Sequence, residues 1–353
     1  MQYKGFLIMK KKNTTYGDIA SYTNLSKMTV SRYFNQPDSL AEETKEKIEE
    51  ALKKLNYTEN KFAKALSSGK SGIIGMITPN FFYNFYTALI DAFIRTYPKS
   101  PYKFLVFTSD DSADMERSFL TELLSYRIEG LIILSHTLDS QELSQYPFPV
   151  IGIERESGYI SSVDTDNVSG TKQAVRRLLQ DGCEVLIHIN TATAPSLPAY
   201  ARIEVFAQVA TQTGIPHQCF MIPDDVHTDV QKLYCYFAKI CETLHKQYSH
   251  KRIGAFVCND TMAHLFLNSA LTNGFSVPQQ LEIIGFDNSP VSEQAILPIT
   301  TVGQNVNRIV SQTVRLLDQQ LDEKKKQAGD GLLQKHLVIK PKLLLRKTTL
   351  NVK

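Results

Sequence analysis

The sequence predicts two unlike parts: a small all-α headpiece built on a helix-turn-helix, and a doubly wound α/β body of two lobes with parallel sheets. Three observations predict this. The stretch Thr15 to Asn35 carries two short helical periodicities broken at Asn24 to Ser26. From Ser71 onward, apolar runs of strand length alternate with helix-like stretches in two successive series. Charge divides at the same place: residues 1 to 70 hold 13 Lys or Arg against 8 Asp or Glu, and the rest of the chain holds 26 against 28. A chain of 353 residues is long enough for two or three domains.

In chain order, Gly5 to Met9 is apolar but too short for a signal peptide or a membrane span. Met9 is the expected start, with Met1 the alternative, because Lys10 to Lys12 then form a basic arm leading into the helix-turn-helix; 1–13 is read as an N-terminal extension. Ile19, Ala20 and Tyr22 give the first helix an apolar face, and Met28, Val30 and Phe34 repeat at helical spacing in the second. Asn24 sits where the turn needs a left-handed residue, which Asn tolerates well. In a DNA-binding unit of this kind the second helix enters the major groove with its N-terminal residues, here Ser26, Lys27, Met28 and Thr29, at the base edges. Ser31, Arg32 and Asn35 follow as candidates for phosphate contact. A plain helical hairpin would show the same periodicity.

Ser39-x-x-Glu42 reads as a capping box for a third helix, whose Ile48, Ala51, Leu52 and Leu55 fall on one face. That closes a headpiece over 14–58. Residues 59–70 then hold about two turns of helix-favouring sequence, Asn60 to Leu66, before Ser67-Ser68-Gly69. Helices this short are unstable alone in water, so the segment reads either as a hinge helix that forms against a partner or as a plain linker.

The body, 71–350, places strands at Ile73 to Ile77, Phe104 to Phe107, Leu131 to Leu134 and Val150 to Ile153, then at Val185 to Ile189, Cys219 to Ile222, Ile253 to Cys258 and Leu281 to Phe286. Helices fall near Phe85 to Tyr97 and Met115 to Tyr126, and a long one carries Val230, Leu233, Tyr234, Phe237, Cys241 and Leu244 on one face. Two such series imply two similar lobes with a ligand in the crevice at the strands' C-terminal ends. Five cysteines (Cys183, Cys219, Cys235, Cys241 and Cys258) show neither CxxC nor zinc-ligand spacing and read as buried reduced thiols. His188 reads as a core residue, His245 and His250 as surface ones.

Several motifs, in order and spacing, resemble the lactose repressor (LacI/GalR) family of bacterial transcription regulators. They are TVSRYFNQ at Thr29 to Gln36, NY-xx-N-xx-A-xx-L from Asn56 to Leu66, GIIGMITP at Gly72 to Pro79, CND-x-MA at Cys258 to Ala263, IIGFDN at Ile283 to Asn288, ITTVGQN at Ile299 to Asn305 and LLLRKTTL at Leu343 to Leu350. The resemblance implies a periplasmic-binding-protein-like body. It implies that Lys27 and Met28 carry operator discrimination, and that Thr15, Tyr16, Ser26, Thr29, Ser31, Arg32 and Asn35 contact backbone and base edges. Asn60, Ala63 and Leu66 then belong to a hinge helix whose leucine wedges into the minor groove. In the body, Arg202, Asn259 and Asp287 match positions that hold a small effector, and Glu154 stands at a strand end beside them. A guanidinium, an amide and a carboxylate together donate to and accept from the hydroxyls of a sugar or sugar phosphate. Phe81, Phe82 and Phe85 lie near the first strand; Phe85 either stacks on the ligand or fills the first lobe.

The chain departs from the family pattern at Val205, where Gly is usual, at Glu154 and Asn80, where Asp is usual, and at Cys183, where His is usual. These departures bear on the effector and leave open a protein or phosphorylated co-regulator in place of a sugar. No G-x-S-x-G, Walker A, HExxH or GxGxxG motif occurs, so an enzyme is not expected. A periplasmic solute-binding protein would need a signal peptide where this chain has its helix-turn-helix. The expectation is a cytoplasmic, homodimeric repressor of a carbohydrate-use operon on pseudo-palindromic double-stranded DNA, with no metal, cofactor or membrane partner.

Overall fold

The computed structural model describes residues 14–58, 70–96, 102–155, 158–191, 197–326 and 334–350, in two compact units divided between Ser71 and Gly72. In the first unit, α1 (Tyr16–Thr23) begins at a reciprocal cap: the Thr15 hydroxyl accepts from Asp18 N while the Asp18 carboxylate accepts from Thr15 N at 2.7 Å. It stops at Asn24, whose φ of 55° is the left-handed conformation the turn requires. α2 (Lys27–Asn35) starts on Ser26, and α3 (Glu42–Lys54) follows a 3-10 turn at Pro37–Ser39. The capping box expected from Ser39 does not form. Its hydroxyl closes the 3-10 turn on the Gln36 carbonyl, and the N-cap of α3 is Ala41, without a side-chain bond.

Ile19, Val30, Ile48 and Ala51 are sealed from solvent at the centre of this unit. Tyr16 stacks on Phe34 with centroids 5.0 Å apart, and Tyr57 leans on both, so aromatic area makes up for a small aliphatic core. Tyr22 does not join the core face assigned to it; the first-helix residues that pack are Ile19 and Ala20, and Tyr22 stays half exposed.

The second unit contains two six-stranded sheets. The first-lobe sheet joins β1 (Ile73–Thr78), β2 (Lys103–Thr108), β3 (Gly130–Leu134), β4 (Val150–Ile153), β5 (Ser161–Thr165) and β11 (His336–Ile339), all parallel, in the order β11-β5-β4-β3-β1-β2. The second joins β6 (Val185–Thr191), β7 (His217–Ile222), β8 (Ile253–Val257), β9 (Leu281–Asp287), β10 (Thr300–Gly303) and β12 (Lys342–Leu344) in the order β12-β10-β9-β8-β6-β7. Only β12 runs antiparallel there, against β10. The helices that matter below are α4 (Asn84–Ile94) and α5 (Ala113–Ser125) of the first lobe, α7 (Asn167–Gln180), α8 (Ala201–Thr213), α9 (Val230–Tyr248), α10 (Asp260–Thr272) and α11 (Pro290–Gln294) of the second, and α12 (Val306–Lys326). A further short helix, α6, spans Ser140–Leu143.

The chain crosses between lobes three times: after β5, after β10 and after β11. The second crossing sends α12 back to the first lobe, where Ile309, Val310, Leu316, Leu317 and Leu321 complete a core begun by Ile74, Met76, Leu89 and Phe93. All eight expected strands are present. β5 was not among them: its sequence, SSVDT, is polar, yet every residue is buried, because Gln320 of α12 bonds Ser161 at 2.7 Å and the Ser162 hydroxyl bonds Asp164. Of the five free cysteines, Cys183, Cys241 and Cys258 are buried, but Cys235 is exposed on α9, a correction to the reading of all five as buried. No described helix is long and apolar enough to cross a membrane.

Candidate functional site

The headpiece presents one polar face. The Ser26 hydroxyl caps Thr29 N at 3.0 Å and lies 2.9 Å from the Thr29 hydroxyl, so the start of α2 is held rigidly. Lys27, Arg32 and Asn35 are exposed, Ser31 half-buried, and Asn35 folds back on the Ser31 carbonyl at 3.0 Å. Met28 is 67% exposed at this face; a long apolar side chain held outward among polar ones suits packing on a thymine methyl. Thr15 is occupied by its cap, and the Tyr16 ring lies in the aromatic stack. Asn60, Ala63 and Leu66 lie outside the described residues, as do Met1 and Met9.

In the body, buried polar side chains from the strand ends of both sheets come together in one hydrogen-bonded cluster. Arg202, in the first turn of α8, is 6% exposed. Its Nε donates to Asn167 Oδ1 at 2.7 Å and its Nη1 to the Cys258 carbonyl at 2.5 Å, while the guanidinium carbon sits 3.6 Å from the centre of the Phe286 ring. Asp287, at the end of β9 with φ 115°, accepts from Gln304 Nε2 at 2.7 Å. Burial, reinforced by the charges of Asp260 and Glu154, pushes its carboxyl well above the usual range, with Arg202 and Gln304 pulling the other way. Asp260 is sealed from solvent and accepts from Ser289 N at 2.8 Å; burial raises it to about 7. Gly285 must lack a side chain here, since a Cβ would run into the Asp260 carboxylate.

Glu154, also left-handed at φ 55°, accepts from Thr165 N at 2.8 Å and from Asn167 Nδ2 at 3.4 Å. Thr165 donates in turn to Gln304 Oε1, so Glu154, Asn167, Arg202, Gln304 and Asp287 form one network through two of the interlobe crossings. Asn259 Oδ1 caps α10 by accepting from Met262 N at 2.9 Å, and its Nδ2 donates to Cys258 Sγ at 3.5 Å. Phe85 is packed into the first-lobe core; its neighbour Tyr86 has the polar surroundings instead, bonding Ser135 and feeling the charges of Asp111, Asp287 and Glu154. Sequence reading missed Tyr86, Gln304 and Asp260, although Gln304 lies inside the ITTVGQN motif and Asp260 inside CND-x-MA. Of the other departures, Asn80 Oδ1 accepts from Phe82 N at 3.1 Å, Val205 is buried on α8, and Cys183 lies against Gly254, its thiol pushed up to about 12 by burial. His188 is a core residue, sandwiched between Phe206 and Phe256 and pushed down to about 4 by burial.

A helix-turn-helix followed in one chain by a two-lobed body whose strand ends share a buried polar network defines a ligand-responsive DNA-binding regulator. Residues 15–60 match the model described as bacterial regulatory proteins, lacI family, and residues 175–349 match the periplasmic binding protein-like domain. The chain belongs to the LacI family. It is 28% identical to the ribose operon repressor of Halalkalibacterium halodurans, over 95% of this chain and 97% of that protein. It is 27% identical to catabolite control protein A of Priestia megaterium, over 88% and 93% respectively. The solved Lac repressor dimer bound to operator and the anti-inducer ONPF shares its fold, with a TM-score of 0.78 at 23% identity, over 96% of this chain and 100% of that one.

Proposed function

We propose that this protein is a cytoplasmic, homodimeric repressor of a carbohydrate-use operon, released from or held on a pseudo-palindromic operator by a sugar or sugar phosphate bound between its lobes. The observation that carries the reading is the network from Glu154 through Asn167, Arg202 and Gln304 to Asp287. It aligns acceptors and one guanidinium at the cleft and runs through the segments that join the lobes, so a ligand that differs in affinity between two lobe angles would shift their populations. The names of its relatives, repressors of ribose and sucrose operons among them, support a sugar as the effector. Lys27 and Met28 are the base-reading residues of this proposal, and Asn60, Ala63 and Leu66 its minor-groove segment.

The test is selection of DNA by the full-length protein from a randomised duplex pool, followed by addition of monosaccharides and disaccharides. A recovered inverted repeat whose occupancy changes with one sugar is the expected result. Recovery of no sequence preference would overturn the proposal.

A further inference from the structure

We propose that the cleft takes an uncharged, hydroxyl-rich ligand and turns away the phosphorylated form of the same sugar. The inference rests on the reading of the body as sugar-responsive and narrows it. Three carboxylates, Glu154, Asp260 and Asp287, sit at the strand ends with at most 6% of their surface exposed. Arg202 is the one buried Lys or Arg among the described residues, and its Nε and Nη1 are already bonded to Asn167 and the Cys258 carbonyl.

A phosphate could be held instead by backbone amides at a helix start, but four such amides around the starts of α4 and α10 are taken. Asn80 Oδ1 accepts from Phe82 N and Tyr83 N at 3.1 and 3.3 Å, Thr261 Oγ1 accepts from Asn84 N at 3.1 Å, and Asn259 Oδ1 accepts from Met262 N at 2.9 Å. Arg155, next to Glu154, faces the charges of Glu116 and Asp139, and His227 lies 4.0 Å from Asp111.

Burial and mutual repulsion already hold Asp260 and Asp287 toward their protonated forms. A phosphate would bring up to two more negative charges into a place that disfavours its own. A sugar hydroxyl has no such conflict: it donates to a carboxylate oxygen and accepts from Arg202 Nη2.

The experiment is calorimetric titration of the full-length protein with matched pairs: D-ribose and D-ribose 5-phosphate, D-glucose and D-glucose 6-phosphate, sucrose and sucrose 6-phosphate. In at least one pair the neutral sugar binds and its phosphate binds about tenfold more weakly or not at all, as expected for added like charge at low dielectric. Glu154→Gln, which keeps an oxygen for Thr165 N, narrows that ratio. A phosphate that binds as tightly as its parent sugar, or more tightly, overturns the inference while the sugar reading stands. A ratio unmoved in both Glu154→Gln and Asp287→Asn also overturns it, and silence from every pair removes the reading and the inference together.

Discussion

The ring of Tyr83 lies nearly parallel to the imidazole of His227, with centroids 6.4 Å apart and planes 12° from parallel, so a residue just ahead of α4 in the first lobe touches a loop of the second. Tyr83 Oη also reaches the His227 carbonyl at 3.5 Å, and Asn84 donates twice to Thr261 Oγ1 at 3.1 Å. These contacts require the lobes to be close together. Thr261→Val removes the acceptor for both Asn84 donors and is expected to weaken binding of any sugar identified by titration by about fivefold, the low end of ordinary coupling strengths. Unchanged affinity in Thr261→Val and in His227→Ala would show that the bridge does not hold the binding arrangement.

Arg202→Ala is expected to abolish sugar binding and to destabilise the body by about 3 kcal/mol, because it leaves Asp287 and Asn167 without their buried partner. Chemical denaturation reads the loss. Asp287→Asn on the Arg202→Ala background should recover part of it, since the uncompensated carboxyl is then gone; strictly additive effects would show that the two side chains do not interact.

Asp260 makes stability depend on pH in a defined direction. Its folded value of about 7 lies above the ordinary aspartate value, so the native state binds this proton more tightly than the unfolded chain does. The corresponding stabilisation is complete below about pH 4 and is lost as pH rises through 7, with a slope of up to about 1.4 kcal/mol per pH unit. Asp260→Asn, which retains an oxygen for Ser289 N, should flatten the melting temperature between pH 4 and 7. Identical pH profiles for the variant and the parent would count against a proton held at Asp260.

In the headpiece, Lys27→Ala should lower the slope of log affinity against log salt by about one if the ammonium meets a phosphate, and leave the slope unchanged while relaxing base preference if it meets a guanine. Met28→Ala should relax preference at a thymine without changing the salt slope, because it removes an apolar contact only. With 67% of Met28 exposed, neither melting temperature nor sugar binding should move. A drop in melting temperature would place the side chain in the fold.

Leu66→Ala is expected to weaken operator binding while sugar binding persists, as for a side chain that acts by wedging into the minor groove. Filter binding and calorimetry on the same preparation separate the two. Loss of both would point to a folding defect.

Much of the architecture was legible because parallel strands covered on both faces are continuous apolar runs, as in IIGMI and GLIIL. β5 escaped because its buried polar side chains are satisfied by α12, more than 150 residues further along, and no local pattern reports such a partner. At the site, Arg202, Asp287 and Glu154 were singled out through the resemblance to the family's motifs, while Asp260 was missed. The choice between Phe85 and Tyr86 was not: adjacent residues on a helix point about 100° apart, and only the packing of α4 decides which ring faces the core. Asn259 looked like a ligand donor, yet half of its amide is spent starting α10.

The return of α12 and β11 to the first lobe also has a temporal side. On the ribosome, the headpiece is complete after residue 58, but the first lobe must wait for Ile309, Leu317, Leu321 and Ile339 before its core can close. The second lobe likewise lacks its edge strand until Lys342–Leu344 has been made. Both lobes therefore finish within a few residues of each other, once Ile339 and Lys342–Leu344 have been made, and neither can mature before the other. A nascent chain halted near residue 300 would carry a finished headpiece on a body with its apolar first-lobe face still open, which is the state that chaperones would have to shield.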